Sequence, residues 1–124
     1  MENIREQLLP ESLVEKFKDY PLYSQERKGT KAKVVAHYFL GGCDWWATEG
    51  QPTDDDFTFF GVVKLGNMEP EFGYFSLSEL CAKFNIPIRM NGEVMFKVPA
   101  FIERDEYWED KTVDECNIDG LFFL

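Results

Sequence analysis

Histidine occurs once in the chain, at position 37, so any Ser-His or Cys-His nucleophilic pair must use it. On a strand, His37 shares a face with Val35 and Phe39 and can look across a hairpin towards Trp45 or Glu49. A lone histidine among aromatic strand residues is more often a hydrogen-bonded packing residue than a base. Glu49 with Asp44 or Glu71 has the composition of a general acid–base pair, but spacing alone sets no separation between them. Trp45 and Trp46 fall on opposite faces of one strand. One is expected in the core, leaving the other to line a groove beside a carboxylate. A flat ring next to acids suits a base, a sugar or an arginine guanidinium. His37, Trp45, Trp46, Glu49 and Tyr74 therefore make one candidate: a small-ligand module, or a small enzyme, on the aromatic face of a sheet. The plainer reading, packing for both tryptophans, weighs against it.

The second candidate is made of carboxylates. Asp54, Asp55 and Asp56 are adjacent, so they point in different directions, and they lack the alternating ligands and turn glycine of a calcium loop. They are expected to form a solvated acidic loop that steers a partner through charge density. Glu103, Asp105, Glu106, Glu109 and Asp110 surround Tyr107 and Trp108. Carboxylates spaced along an extended segment imitate a row of phosphates, and Trp108 is the expected anchor. No catalytic residue, metal-ligand set or cofactor motif stands out: there is no phosphate-cradling glycine loop, metal triad or nucleophile elbow.

The charge of the chain agrees with the second candidate. Thirteen Lys and Arg stand against 23 Asp and Glu, a net charge of −10. Residues 1–33 carry seven basic and six acidic side chains, a balance of +1. The rest carries six basic and 17 acidic, a balance of −11, and 34–63 has no Lys or Arg at all. Phosphate contacts need cations, so direct nucleic-acid or anionic-membrane binding is disfavoured. A basic protein surface is favoured, with fast, salt-sensitive association. Cys43, Cys81 and Cys116 have neither redox nor metal spacing and are expected to be reduced thiols acting as small hydrophobes. The opening MENIREQLLP has no apolar stretch after a basic start, and no apolar run approaches membrane-spanning length. A cytoplasmic protein is the expectation.

The elements that must position these residues follow from periodicity. Ile4, Leu8, Leu13, Val14 and Phe17 predict helix over 2–19, restarted at Pro10 and ended by Pro21. Residues 23–32 are a polar connection. Strands follow at Lys33–Leu40 and Cys43–Glu49, joined by Gly41-Gly42. A loop is expected over Gly50–Asp56. Phe57–Leu65 is apolar on both parities, as in a central strand covered on both sides. Glu71–Phe75 is the next strand. Ser76 and Glu79 have capping-box spacing and start a helix expected to reach Phe84. Asn91-Gly92 between Ile88–Met90 and Val94–Val98 is a hairpin signal. Phe101–Trp108 reads as a further strand, 109–119 as an acidic loop, and Leu121–Leu124 as a return to the core. The 124 residues predict one α+β domain: a mainly antiparallel sheet of about five to seven strands, an N-terminal helical segment and one further helix.

Six short blocks carry a resemblance. They are Leu8-Leu9-Pro10, Leu22-Tyr23-Ser24-Gln25, Trp45-Trp46-Ala47-Thr48-Glu49, Phe59-Phe60-Gly61, Gly73-Tyr74-Phe75-Ser76-Leu77 and Ile102-Glu103-Arg104-Asp105-Glu106-Tyr107. In this order they resemble an uncharacterised bacterial family of unknown function, found largely on plasmids, phages and other mobile elements. The hairpin Arg89–Pro99 looks inserted relative to the direct connection expected there. The resemblance brings no chemistry with it; it implies a protein that helps a mobile element persist against host defence. Joined to the charge pattern, this gives the leading expectation. The chain is an acidic, non-enzymatic interaction protein that inhibits a basic, nucleic-acid-handling host protein, with a CRISPR effector or a restriction nuclease as the concrete cases.

Overall fold

The structure is a computed structural model that describes residues 3–121. The N-terminal segment forms two short helices, α1 (Ile4–Leu8) and α2 (Glu11–Phe17), broken at Leu9-Pro10. Pro10 is the N-cap of α2, a site where a missing N–H costs nothing. Leu8, Leu13 and Phe17 face inward, as their spacing requires.

The body is a five-stranded antiparallel sheet. Strands β2 (Ala36–Leu40), β3 (Cys43–Thr53), β4 (Asp56–Lys64) and β5 (Glu71–Ser76) form a meander, preceded by the two-residue strand β1 (Lys33–Val34). After β5 come helix α3 (Leu77–Leu80), then β6 (Lys83–Met90), β7 (Glu93–Phe101), β8 (Glu103–Arg104) and β9 (Lys111–Thr112). The main sheet has the order β5-β4-β3-β2-β8; β1 pairs with β9, and β6 with β7. The architecture is α+β, as the sequence pattern implies.

The two parities of β4 explain its place inside the sheet. Phe57 and Phe59 pack with α1, α2, Tyr38 and Trp45 on one face. Val62 packs on the other face with Val34 and Val113. Leu121 lies against this second cluster, while residues 122–124 lie outside the described part of the chain. Gly61 is required for a different reason. A Cβ there would stand 1.8 Å from the Trp46 carbonyl oxygen, so β3 and β4 approach this closely only with glycine. The approach adjoins an irregularity between Ala47 and Glu49, where the register shifts.

Four boundaries differ from expectation. The loop expected over Gly50–Asp56 is mostly strand: β3 runs on to Thr53 and only Asp54 and Asp55 turn. Pro52 is tolerated because β2 begins only at Ala36, opposite Ala47, so that among the described residues this edge of β3 has no strand paired to it beyond Ala47. The helix expected to reach Phe84 stops at Leu80 after one turn, with Leu77 and Leu80 buried. No core surface is available beyond it, and the β-branched alternation through Ile86 and Ile88 takes over. The hairpin around Asn91-Gly92 is correspondingly longer, pairing Lys83 with Phe101 at its root. The strand expected over Phe101–Trp108 shrinks to Glu103–Arg104 between the end of β7 and a turn. Among the described residues, no helix is long and apolar enough to cross a membrane.

Candidate functional site

Segment 103–110 is held against the outer edge of β2 at several points. β8 pairs with Tyr38 and Phe39. The Asp105 N–H donates to the His37 carbonyl at 2.9 Å. The Asp105 carboxylate then accepts the Tyr107 N–H at 3.0 Å, an Asx turn that fixes the next two residues. The Trp108 indole N–H donates to the Val34 carbonyl at 2.9 Å, and its ring packs on the second core cluster with Lys111 over it. Trp108, the expected anchor, thus turns inward. Tyr107 turns outward instead and is 90% exposed. Sequence reasoning did not single it out, because neighbours in an aromatic pair look alike until a turn decides which of them packs. Glu103, Glu106, Glu109 and Asp110 are exposed around it. Arg104 donates to the Gln7 carbonyl and lies 3.9 Å from Glu106; Lys16 pairs with Asp110. The result is a pinned acidic spur with an aromatic tip.

His37 ties this spur to the sheet. Its Nε2 lies 2.8 Å from Asp44 Oδ1, and its buried Nδ1 faces Asp105 Oδ2 at 3.5 Å. The ring stacks on Trp46, its register partner, at 5.4 Å between centroids, and tilts against Trp108 at the same distance. A general base needs one ring nitrogen turned to its substrate. Here Nε2 is taken by Asp44 and the buried Nδ1 makes no hydrogen bond among the described residues, so the imidazole serves as packing between β3 and the spur, held by Asp44 and by the Trp46 and Trp108 rings. Strand parity alone sets His37 towards Trp45 or Glu49; the register pairs it with Trp46 and brings Asp44 to it.

The five residues of the ligand-site candidate do not converge. Trp45 is in the core, on the opposite face from Trp46. Glu49 is 2% exposed and accepts the N–H groups of Tyr23 and Gln25 at 2.7 and 2.9 Å, which makes it a staple for the loop after α2. Tyr74 is exposed on β5, two strands away from β3, and its hydroxyl titration is raised chiefly by a hydrogen bond with Tyr23.

The acidic residues also divide. Asp54 and Asp55 are exposed at the β3–β4 turn. Asp56 is tied down: its carboxylate accepts from the Ser78 hydroxyl at 2.6 Å and from the N–H groups of Phe57 and Ser78. Those bonds, led by the Ser78 hydroxyl, hold it below the usual carboxylate range. Glu103 lies beside Phe39, which pairs with Asp44, nine residues before Thr53 on β3. At about 3.3 Å per residue the two acidic patches are roughly 30 Å apart along the sheet. Among the described residues no group of three His, Cys, Asp or Glu side chains stands close enough to hold a metal. The thiols are half-buried and unpaired, and burial pushes Cys116 up to about 11.

A second surface lies at the β5 edge. A groove of about 430 Å³ is lined by Trp45, Leu65, Met68 and Phe84, with the carboxylates of Glu69, Glu71 and Glu79 beside it. From it the β6–β7 ribbon projects, with no residue from Lys83 to Pro99 buried.

The model of a family described as a protein of unknown function, DUF2958, matches residues 8–113. The chain belongs to this family. The DUF2958 match takes in the sheet, α3, the ribbon and the acidic spur. No curated protein and no solved structure matches the chain.

Proposed function

We propose that this DUF2958 chain is a non-enzymatic interaction protein of a mobile element. It binds a basic, nucleic-acid-handling host protein through the acidic spur and inhibits it, in the manner of an anti-CRISPR or antirestriction protein. The carrying observation is Tyr107, 90% exposed among exposed Glu103, Glu106, Glu109 and Asp110, on a backbone pinned by Asp105. A ring carried on a pinned backbone amid carboxylates is an anchor for a basic surface, and its main chain has little entropy left to lose on binding. Asp54 and Asp55, on their separate turn, add to the long-range field that steers encounter. The mobile-element part of the reading is supported by the resemblance of the blocks from Leu8 to Tyr107.

The test is a pull-down from host lysate at low salt, followed by nuclease assays of any captured protein. The native chain is expected to enrich a basic nucleic-acid enzyme and to slow it. Tyr107→Ala, and separately Glu106→Lys with Glu109→Lys, should each abolish capture, and about 0.5 M salt should weaken it steeply. Capture that ignores all three changes, or an empty native lane, defeats the proposal.

A further inference from the structure

The β6–β7 ribbon is amphipathic in a way that its burial does not use. Register places Phe84, Ile86, Ile88 and Met90 of β6 on the same face as Phe96 and Val98 of β7. These six side chains are 37% to 60% exposed. Lys83, Asn85, Pro87, Arg89 and Lys97 take the opposite face together with Phe101, Pro99 and Val94, and Glu93 stands opposite Met90 at the tip of the apolar face. The ribbon from Lys83 to Phe101 holds three basic residues and one acidic, +2 on a chain of net charge −10, so the remainder carries −12. Phe84 belongs both to the apolar face and to the wall of the β5 groove, making the two surfaces continuous. The carboxylates beside that groove, Glu69, Glu71 and Glu79, are all exposed.

We infer that the occupant of this surface is a second copy of the same chain, held in a two-fold clasp by reciprocal arms. Three observations lead there. First, each protomer carries both halves, an apolar ribbon face and an apolar groove continuous with it through Phe84, which is the condition for an isologous interface. Second, antiparallel packing of the two ribbon faces brings the tip of each arm, with Met90 and Phe96, to the root of the other, where the groove lies. Third, the area suffices. At roughly 200 Å² per large side chain, the six ribbon residues with Leu65 and Met68 expose about 770 Å² per protomer, close to the ~800 Å² per partner of a stable interface. The ribbon edges point away from a different mode of association. Pro87 in β6 and Pro99 in β7 remove edge donors, and Lys83 and Lys97 add charge, which discourages open-ended strand addition. The contact is made by the face, and it closes at two.

Sedimentation equilibrium from about 1 to 100 μM tests this. The native chain is expected at twice its 14.5 kDa mass. Ile88→Lys with Phe96→Lys should raise the dimer dissociation constant at least ~100-fold. These positions lie outside the core, so circular dichroism should report an intact sheet. Leu65→Lys with Met68→Lys in the groove should weaken the dimer likewise, whereas Arg89→Glu with Lys97→Glu, on the ribbon face turned away from the contact, should leave it unchanged. A native chain that stays monomeric to 100 μM overturns the inference. So does a dimer indifferent to the ribbon-face and groove variants.

Discussion

Replacing Glu49 with Gln should destabilise the fold without touching any binding surface. The carboxylate is 2% exposed and its two oxygens accept different N–H groups, Oε1 from Tyr23 at 2.7 Å and Oε2 from Gln25 at 2.9 Å. An amide of the same shape keeps one acceptor and turns an NH₂ group towards the other donor. A hydrogen bond to a charged group contributes about 1.5–3 kcal/mol, so about 2–3 kcal/mol should be lost. The loop has little to replace it with. Tyr23 is held at φ 73°, a region that L side chains occupy only when neighbours over-determine it. Gln25 in turn bonds the Thr48 and Lys33 carbonyls and accepts the Lys33 N–H, so a shift there reaches β1. With an unfolding entropy of about 2.1 cal/mol/K per residue, 124 residues give about 4 °C of Tm per kcal/mol. Calorimetry should therefore show Tm lower by about 8–12 °C. Hydrogen exchange at the Tyr23 and Gln25 amides should quicken more than exchange in β4. A Tm within about 2 °C of native, with unchanged exchange at those amides, would refute the staple and return Glu49 to the list of candidate functional carboxylates.

Two other perturbations probe the frame around the spur and the groove. Gly61→Ala places a Cβ 1.8 Å from the Trp46 carbonyl oxygen, and the backbone on both strands must move. A loss of more than ~4 kcal/mol is expected, seen as insoluble or molten protein, whereas Gly73→Ala, which meets nothing within 4 Å, should fold normally. Asp56 has a folded-state pKa below its ordinary value of 3.8, so the stability it contributes is present above that value and is lost as pH falls through the lower folded one. Between about pH 5 and pH 2 the native urea midpoint should fall more steeply than that of Asp56→Asn, and parallel curves would remove the role of the Ser78 bond.

Much of the frame was legible in the residues themselves. The alternation of Phe57, Phe59 and Val62 placed β4 inside the sheet, Gly41-Gly42 and Asn91-Gly92 marked two hairpins, and Pro10 marked the break between the helices. These are local rules of sterics and periodicity, and nothing distant overrides them. Ser76 likewise announced its helix, since its hydroxyl accepts the Glu79 N–H. How far α3 ran was not local. Its end depended on whether Phe84 would find core to bury against, and it did not.

The candidate surfaces needed the tertiary structure for the same reason. Charge alone marked Glu103–Asp110 as acidic, but only the Asx turn at Asp105 and the bond from Trp108 to Val34 decided that Tyr107 faces solvent. The sequence puts His37, Trp45, Trp46 and Glu49 within one stretch of 13 residues. The pleat then sent the two tryptophans to opposite faces, and the register shift after Ala47 left Glu49 beneath a loop from elsewhere in the chain. The ribbon shows the limit most plainly. Its residue types and its turn stand in the sequence, yet the same alternation would describe a strand buried on one face. That this apolar face stays exposed among the described residues, touching the body only where Phe84 lines the groove, is a relation between distant elements, and only the assembled fold decides it.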